Sequence, residues 1–242
     1  MTAIQQPLSI PVDDIALAGA LHRPEAAARS PAVIAAHGLL SSMASEKYLR
    51  LAEAFVARGV ALCRFDFRGC GGSAGALAAS TLGDRLRDLL AIVAWVRGRE
   101  WFDGRLALVG SSMGGFLSVC AAGTAPPFAA VVTWAAPAAL HELLARPEAV
   151  FASGLGEPFL AELRAGKLLE APGGVGSVLV IHGDADEVVP VDHARRLWQR
   201  CADPKRLAIL AGADHSISDP ADRERAVGLT VDFCREAFGM AG

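Results

Sequence analysis

Short apolar runs alternate along this chain with longer segments whose apolar residues recur at helical spacing. Eight of the apolar runs have the length expected of strands: 7–12, 15–22, 31–36, 60–65, 105–109, 129–135, 177–182 and 205–210. Helical periodicity and helix-start signals predict helices at 45–58 and 81–97, from Ser112, near Pro190, and at 220–238. Strands that alternate with helices are typical of a parallel sheet covered by helices. The pattern therefore predicts an α/β fold on a mostly parallel, twisted sheet of about eight strands with helices on both faces.

The alternation is interrupted once, between the sixth and seventh predicted strands. About 40 residues lie there, more than an ordinary connection needs, and 141–152 and 158–169 have the pattern of short helices. The 242 residues are enough for one large domain, and an apolar content of 52% excludes a disordered chain. We therefore predict a single domain over 1–242 with a small helical lid inserted at about 138–172.

Charge and cysteine content limit which kinds of partner and which cellular compartment we expect. The chain has 23 Lys and Arg against 26 Asp and Glu, and no basic stripe interleaved with aromatic residues, so nucleic acid is not an expected partner. Five cysteines without a CxxC pair, and a start that lacks a basic cluster and an apolar run, favour a cytoplasmic location. The uncharged stretch Leu106–Leu140 is broken by glycines and prolines, so we expect no membrane span. We expect a monomer or a homodimer.

The strongest single motif is the segment LALVGSSMGG at 106–115. Its apolar strand runs directly into a match to G-x-S-x-G with Ser112 at the centre, and an apolar helix follows. This strand-to-helix turn needs flanking residues without bulk and holds the serine exposed above the sheet. A second match at 71–75 precedes no helix, so we interpret it as a surface turn. The overlapping G-x-G-x-x-A at 69–74 lacks the later strand and acidic residue that a dinucleotide site needs.

A serine nucleophile needs a base, and the base needs an acidic group that orients it. Asp184, Asp186 and Glu187 follow the apolar run VLVIHG, and His215 follows the next run, RLAILAGAD. Because parallel strands place their carboxyl ends at one edge of a sheet, we expect these side chains near Ser112. The chain order of serine, acid and histidine is that of the nucleophile-elbow enzymes. From the residues alone, the acid is Asp186 or its neighbour Asp184.

Five motifs together resemble a known family. They are AHG at 36–38, FDFRGCGGS at 65–73, GSSMGG at 110–115, HGDADEVVP at 182–190 and GADHS at 212–216. Over about residues 20–238 the chain resembles the α/β-hydrolases of the serine-esterase type, in particular the small-lid, feruloyl-esterase-like and serine-aminopeptidase-like members. The resemblance implies an α/β-hydrolase fold. It also implies a catalytic triad of Ser112, His215 and Asp186, with Asp184 as a structural neighbour.

The same resemblance implies an oxyanion hole made by the backbone N–H groups of Leu39 and Met113, and it implies no cofactor and no metal. The predicted lid is apolar, and we expect Trp134, Leu143 and Phe151 to bind substrate. The predicted function is a serine hydrolase that cleaves small-molecule carboxylic esters of small or medium apolar acyl groups through an acyl-enzyme intermediate. A thioesterase or acyl-peptidase of the same fold, or a catalytically silent binding protein, are the alternatives.

Overall fold

A computed structural model describes residues 3–25, 27–124 and 127–240 of the chain. These residues form one sheet of eight strands. The strands are β1 (Ala3–Val12), β2 (Ile15–Pro24), β3 (Ser30–Ala36), β4 (Ala61–Phe65), β5 (Phe102–Ser111), β6 (Ala130–Trp134), β7 (Val178–Gly183) and β8 (Lys205–Leu210). All the predicted strands are confirmed, with ends that differ by a few residues.

The strands lie in the order β1-β2-β4-β3-β5-β6-β7-β8. β1 pairs antiparallel with β2, and β2 antiparallel with β4, while all the other neighbours are parallel. The chain moves outward from β3 to β4 and then returns to place β5 on the other side of β3. At such a switch point the loops that follow the two adjacent strands diverge and leave a crevice at their carboxyl ends. The topology therefore places the loop after β3 beside the turn after β5.

Helices cover both faces of the sheet. They are α1 (Glu46–Val56), α2 (Leu82–Arg97), α3 (Met113–Thr124), α4 (His141–Leu144), α5 (Pro147–Ala152), α6 (Glu157–Arg164), α7 (Asp192–Arg200) and α8 (Pro220–Ala237). Ile34 and Val131 pack on one face with α2, α3 and α7, while their neighbours Val33 and Val132 pack on the other with α1 and α8. Successive side chains of a strand point to opposite faces, so both are buried and the central strands are continuously apolar.

The chain between β6 and β7 forms the short helices α4, α5 and α6. The prediction of one helix at 141–152 is wrong, because α4 ends at Leu144 and α5 begins at Pro147. Proline fits the first turn of a helix, where its missing N–H group has no partner to lose, and it breaks a helix interior. The predicted helix at 158–169 is present but ends earlier, at Arg164.

The described residues of the uncharged stretch Leu106–Leu140 belong mainly to β5, α3 and β6. The stretch is apolar because these elements lie in the middle of the molecule, with the other helices packed around them. In the described part of the chain, we find no helix with the length and apolar character needed to cross a lipid bilayer.

Candidate active site

Ser112 lies at an abrupt turn between a strand and a helix. β5 ends at Ser111 and α3 begins at Met113, so Ser112 alone connects them. Its φ of 52° lies in the left-handed region, which costs a non-glycine residue about 1–3 kcal/mol. The backbone N–H of Ser112 donates to the carbonyl oxygen of Trp134 at 2.8 Å and ties the turn to β6. The turn therefore holds Ser112 at the carboxyl edge of the sheet.

The glycines around Ser112 are places where two backbone segments touch. A Cβ atom on Gly110 would lie 2.2 Å from the carbonyl oxygen of Gly114, and one on Gly114 would lie 2.2 Å from that of Ala36. Both distances are far inside van der Waals contact, and the obstructing atoms belong to the backbone. The predicted need for residues without bulk at this turn is confirmed.

We expect Gly114→Ala to destabilise the protein, because the added methyl group would overlap the backbone of β3. The free energy of unfolding should fall by at least about 1–3 kcal/mol, the usual cost of overpacking. The matched control is Gly228→Ala in α8, where a Cβ atom meets nothing within 4 Å. Alanine there should leave stability unchanged or raise it by up to about 1 kcal/mol. Urea unfolding measures both, and equal midpoints for the two variants would contradict the expectation.

His215 lies between Ser112 and Asp186. Its Nε2 atom is 3.1 Å from Ser112 Oγ, and its Nδ1 atom is 2.8 Å from Asp186 Oδ2. Asp186 follows β7 and His215 follows β8, so both loops end at the edge of the sheet where β5 presents the serine. Asp184 is exposed instead, and its Oδ1 accepts a hydrogen bond from Gly212 N at 2.6 Å. The structure thus brings together the three residues that the resemblance implied, and it keeps Asp184 apart from His215.

Asp186 is buried and nevertheless ionised. Burial by itself raises the pKa of this carboxyl, but hydrogen bonds from His182, His215 and Val189 N–H outweigh burial and hold the pKa well below its usual range. An ionised carboxylate can only accept hydrogen bonds, so the proton shared with His215 lies on Nδ1. In the neutral ring, Nε2 of His215 is then the acceptor that faces the Ser112 hydroxyl group.

The loop after β3 approaches the serine closely at Gly38. A Cβ atom on Gly38 would lie 3.3 Å from Ser112 Cβ and 3.9 Å from Ser112 Oγ. The next residue, Leu39, lines the same cavity as Ser112, and so does Met113. Met113 is the first residue of α3, and N–H groups in a first helical turn have no partner within the helix. Both residues predicted to form the oxyanion hole thus lie beside Ser112, and their role as donors stays a prediction.

A cavity of about 650 Å³ opens above Ser112 and His215. Its lining is mainly apolar, and the segment between β6 and β7 supplies much of it, including Leu140, Leu143, Val150 and Leu155. Of the residues that the structure describes, four with charged side chains also line it: Glu46, Lys47, Glu142 and Arg223. Within the described ranges, no group of three or more His, Cys, Asp and Glu side chains is placed to hold a metal ion.

Residues 13–165 match the model of the family described as X-Pro dipeptidyl-peptidase (S15 family). The match spans more than half of the chain and includes the loop after β3, the turn at Ser112 and much of the lid segment. The chain belongs to this family. Its fold is that of the α/β-hydrolases, as the five motifs implied, and the family is one of hydrolases.

Relatives of this X-Pro dipeptidyl-peptidase family member include proteins with different names. The Homo sapiens mitochondrial palmitoyl-protein thioesterase ABHD10 is 28% identical over 228 residues, which cover 84% of this chain and 72% of that protein. The Escherichia coli protein YfhR is 30% identical over 216 residues, covering 85% of this chain and 70% of that protein. Both matches extend over most of the sheet, so the similarity is not confined to the segment around Ser112.

Two solved structures share the fold of this family member. Est1E from Butyrivibrio proteoclasticus with bound ferulic acid has a TM-score of 0.80 at 21% identity, over 96% of this chain and 99% of that one. Mouse ABHD10 has a TM-score of 0.76 at 23% identity, over 96% of this chain and 99% of that one. At these identities the likeness establishes the fold, with the mostly parallel, twisted sheet predicted from the sequence.

In this family member Leu143 lines the cavity and its role in binding substrate stays a prediction, whereas Trp134 and Phe151 do not line the cavity. Trp134 is 1% exposed, and its indole N–H donates to Thr230 Oγ1 of α8 at 2.9 Å, so the ring lies in the core between sheet and helix. Phe151 is 49% exposed. The residue before it, Val150, faces the cavity. Because successive residues of a helix are about 100° apart around its axis, Phe151 points away from the direction of Val150. The prediction for Trp134 as a substrate-binding residue is therefore wrong, whereas the one for Phe151, which lies outside the cavity lining, stays a prediction.

His182 contacts the acid of the site, which the sequence did not predict. Its Nε2 atom is 3.2 Å from Asp186 Oδ2 and 2.8 Å from the carbonyl oxygen of Val189. Both of these oxygens are acceptors, so the Nε2 atom carries a proton and donates. His182 therefore holds the loop after β7 and at the same time positions Asp186. Its place at the end of an apolar strand, before the acidic run, was the available signal.

His193 connects the lid to α7. Burial lowers the pKa of this histidine, which keeps the ring neutral. Its Nδ1 atom accepts a hydrogen bond from Ala138 N at 3.1 Å, so the proton lies on Nε2, which donates to Glu142 Oε1 at 3.2 Å. This connection was not predictable from the sequence, because β7 and the loop after it separate α7 from the lid along the chain. His193 lines the cavity and fixes the start of the lid above it.

The second G-x-S-x-G match is a turn, as predicted. The Ser73 hydroxyl group donates to the carbonyl oxygen of Asp66 at 2.6 Å and accepts from Ala18 N at 2.8 Å. In the same loop, Arg68 forms an ion pair with the buried Asp88 at 2.7 Å. These contacts tie the loop after β4 to β2 and α2. Ser73 therefore has a structural role, distant from the hydrogen bonds of Ser112.

Proposed function

We propose that this protein is a serine hydrolase that cleaves carboxylic esters through an acyl-enzyme intermediate. The observation that carries the proposal is the chain of hydrogen bonds from Ser112 Oγ to His215 Nε2 and from His215 Nδ1 to Asp186 Oδ2, at 3.1 and 2.8 Å. Ser112 and His215, at one end of these hydrogen bonds, line a mainly apolar cavity. A serine whose hydroxyl group faces an oriented histidine is the arrangement that acyl transfer requires.

The proposed reaction uses the His215 ring twice. His215 takes the Ser112 proton as Ser112 Oγ attacks the ester carbonyl carbon, and the oxygen that becomes negative accepts from the backbone N–H groups of Leu39 and Met113. The tetrahedral intermediate collapses, the C–O bond to the alcohol breaks, and His215 donates its proton to the departing oxygen. Water then attacks the acyl group by the same route, which releases the acid and restores Ser112. Asp186 keeps the ring in the required tautomer throughout.

The cavity favours an ester or thioester over a peptide as substrate. A dipeptidyl-peptidase cleaves close to a free amino group, which is cationic at neutral pH and requires an available carboxylate. The two carboxylates that line the cavity, Glu46 and Glu142, are already bound to Arg223 and His193. Lys47 adds a further positive charge there. We therefore rank peptide cleavage below ester cleavage, although the family is named for it.

A thioesterase is the second candidate, because relatives that align over most of the chain are named palmitoyl-protein thioesterase. Esters and thioesters both react through the same acyl-enzyme and differ in the atom that departs. The lid side chains Leu143, Val150 and Leu155 give the cavity an apolar wall for an acyl chain in either case. The leaving group distinguishes the two candidates experimentally.

The test is hydrolysis of matched butyryl compounds, an ester, a thioester and an anilide, together with labelling by a fluorophosphonate probe. We expect the probe to label wild-type protein, and the ester to have the highest kcat/KM relative to its uncatalysed rate. A series of p-nitrophenyl esters from acetyl to dodecanoyl then measures the acyl length that the cavity accepts. A higher relative rate for the thioester or the anilide would establish the second candidate or a peptidase. Absence of labelling and of turnover would identify a catalytically silent binding protein.

A further inference from the structure

Lys47 is a charged side chain of the cavity that the proposed mechanism does not use. It is the second residue of α1, it is half-buried, and it lines the same cavity as Ser112 and His215. Its Nζ atom donates to Ser111 Oγ at 3.2 Å, and Ser111 is the residue immediately before the serine. The ammonium group is therefore held at the residue next to Ser112, in the cavity that Ser112 and His215 also line.

Carboxylates near Lys47 are already bound to other groups. Glu46 forms an ion pair with Arg223 at 3.1 Å, and Asp214 accepts from Ser218 N at 2.9 Å. Glu142 of the lid is bound to His193 of α7, as described above. Among the residues that the structure describes, no carboxylate oxygen lies within 4.0 Å of Lys47 Nζ. The hydrogen-bond partner of the Lys47 ammonium group is thus a neutral hydroxyl group, that of Ser111.

The position of Lys47 disfavours its own charge. Burial lowers the pKa of Lys47 to about 8, and although Asp214 raises it, Arg223 lowers it further. A cation that has lost water and gained no anion is stabilised by any anion that enters the cavity. A hydrogen bond from an ammonium group to a carboxylate is about twice as strong as one between neutral groups. A neutral ligand offers Lys47 no such gain.

We propose that Lys47 forms a subsite for a carboxylate of the substrate, so that the preferred esters combine an apolar chain with one anionic end. This inference rests on the proposed esterase function and adds the class of substrate. Leu140, Leu143 and Val150 bind the apolar part, while Lys47 Nζ binds the carboxylate close to the reacting centre. Arg223 lies near but is already paired with Glu46, which leaves Lys47 as the available cation.

The carboxylate belongs either to the acyl group or to the alcohol of the ester, and matched substrates distinguish the two. In the acyl pair, monomethyl adipate is compared with methyl hexanoate, which has the same chain length and no charge. In the alcohol pair, 4-acetoxybenzoate is compared with phenyl acetate. For each ester, the rate constants of a variant are divided by those of the wild-type protein. Comparing these two quotients within a pair removes the different intrinsic reactivities of the two esters.

The variants are Lys47→Met, Lys47→Arg and, as a matched control, Lys167→Met. Lys167 is exposed on the lid segment outside the cavity, so its loss changes the net charge equally without touching the site. In at least one pair, Lys47→Met should raise KM for the anionic ester at least about tenfold more than for the neutral ester, with a smaller effect on kcat. Lys47→Arg should retain most of the preference, and Lys167→Met should change neither ester.

Two results would overturn the subsite. The first is an equal loss on charged and neutral esters in Lys47→Met, which would show that Lys47 only supports the turn through Ser111. The second is the absence of any preference for an anionic ester in the wild-type protein in both pairs. Hydrolysis of the neutral esters by wild-type protein tests the proposed esterase function separately.

Binding can be measured without turnover in Ser112→Ala. Monomethyl adipate and 4-acetoxybenzoate are titrated by calorimetry into Ser112→Ala and into the double variant Ser112→Ala/Lys47→Met. The double variant should bind at least one of the two esters at least about tenfold more weakly. Equal affinities would contradict the subsite even if the protein cleaved no ester. Tight anion binding without hydrolysis would retain the subsite and reject the esterase.

Discussion

Ser112→Ala is expected to lower kcat on any accepted ester by about four to six orders of magnitude, the loss seen when triad serines are removed. The physical reason is that Ser112 Oγ is the atom 3.1 Å from His215 Nε2, and alanine leaves the oriented histidine without a nucleophile to activate. The fold should persist, because serine already adopts the left-handed φ here despite its Cβ atom, and alanine differs from it only by the loss of one oxygen atom. Steady-state kinetics and loss of fluorophosphonate labelling measure the effect.

The control for Ser112→Ala is Ser73→Ala, at the centre of the other G-x-S-x-G match. The Ser73 hydroxyl group links Asp66 to Ala18 and has no contact with the site, so the variant should keep kcat within a few-fold of wild type. Its thermal unfolding temperature should fall, since a half-buried backbone N–H group loses its acceptor. If Ser73→Ala lost activity while Ser112→Ala kept it, Ser73 and not Ser112 would be the nucleophile.

Asp186→Asn is expected to lower kcat by about four orders of magnitude, as the same change does in other serine triads. An amide can donate a hydrogen bond to His215 Nδ1, which stabilises the tautomer with its proton on Nε2, facing Ser112. That ring can no longer accept the serine proton. KM should change much less than kcat, because the carboxylate is buried behind the histidine and does not line the cavity.

Asp184→Asn is the matched control, two residues away in the same loop. Asp184 is exposed, and its Oδ1 accepts from Gly212 N, a bond that an asparagine oxygen can also accept. The variant should therefore retain activity within a few-fold of wild type. If Asp186→Asn retained full activity while Asp184→Asn lost it, the orienting carboxylate would have been assigned to the wrong residue.

The strands and the turn at Ser112 were predictable from the sequence because they depend on local physics. A strand buried on both faces needs an apolar run, and the central strands β3, β5 and β7 contain such runs at 31–36, 106–110 and 178–181. The turn needs glycines wherever backbone meets backbone, and Gly110 and Gly114 stand at the required spacing around Ser112. The insertion after β6 was visible as an unusually long connection, but its first helix was divided by Pro147.

The neighbours of the serine were also predictable in part, because parallel strands place the loops that follow them at one edge of the sheet. Asp186 and His215 follow β7 and β8 and meet Ser112 there. The residues alone did not distinguish Asp186 from Asp184. The family resemblance implied Asp186, and the structure places that carboxylate against the histidine. The catalytic roles of the three residues stay predictions that the variants above test.

The sequence by itself thus determined which segments are strands, where the chain turns sharply and which loops share the carboxyl edge. Only the tertiary structure decided where individual side chains point. Trp134 faces Thr230, 96 residues away, His193 holds Ala138 across 55 residues, and Lys47 meets Ser111 across 64 residues. The physical reason is that backbone periodicity and steric limits act between near neighbours in the chain. The direction and the charge balance of a side chain depend on groups that the fold alone brings together.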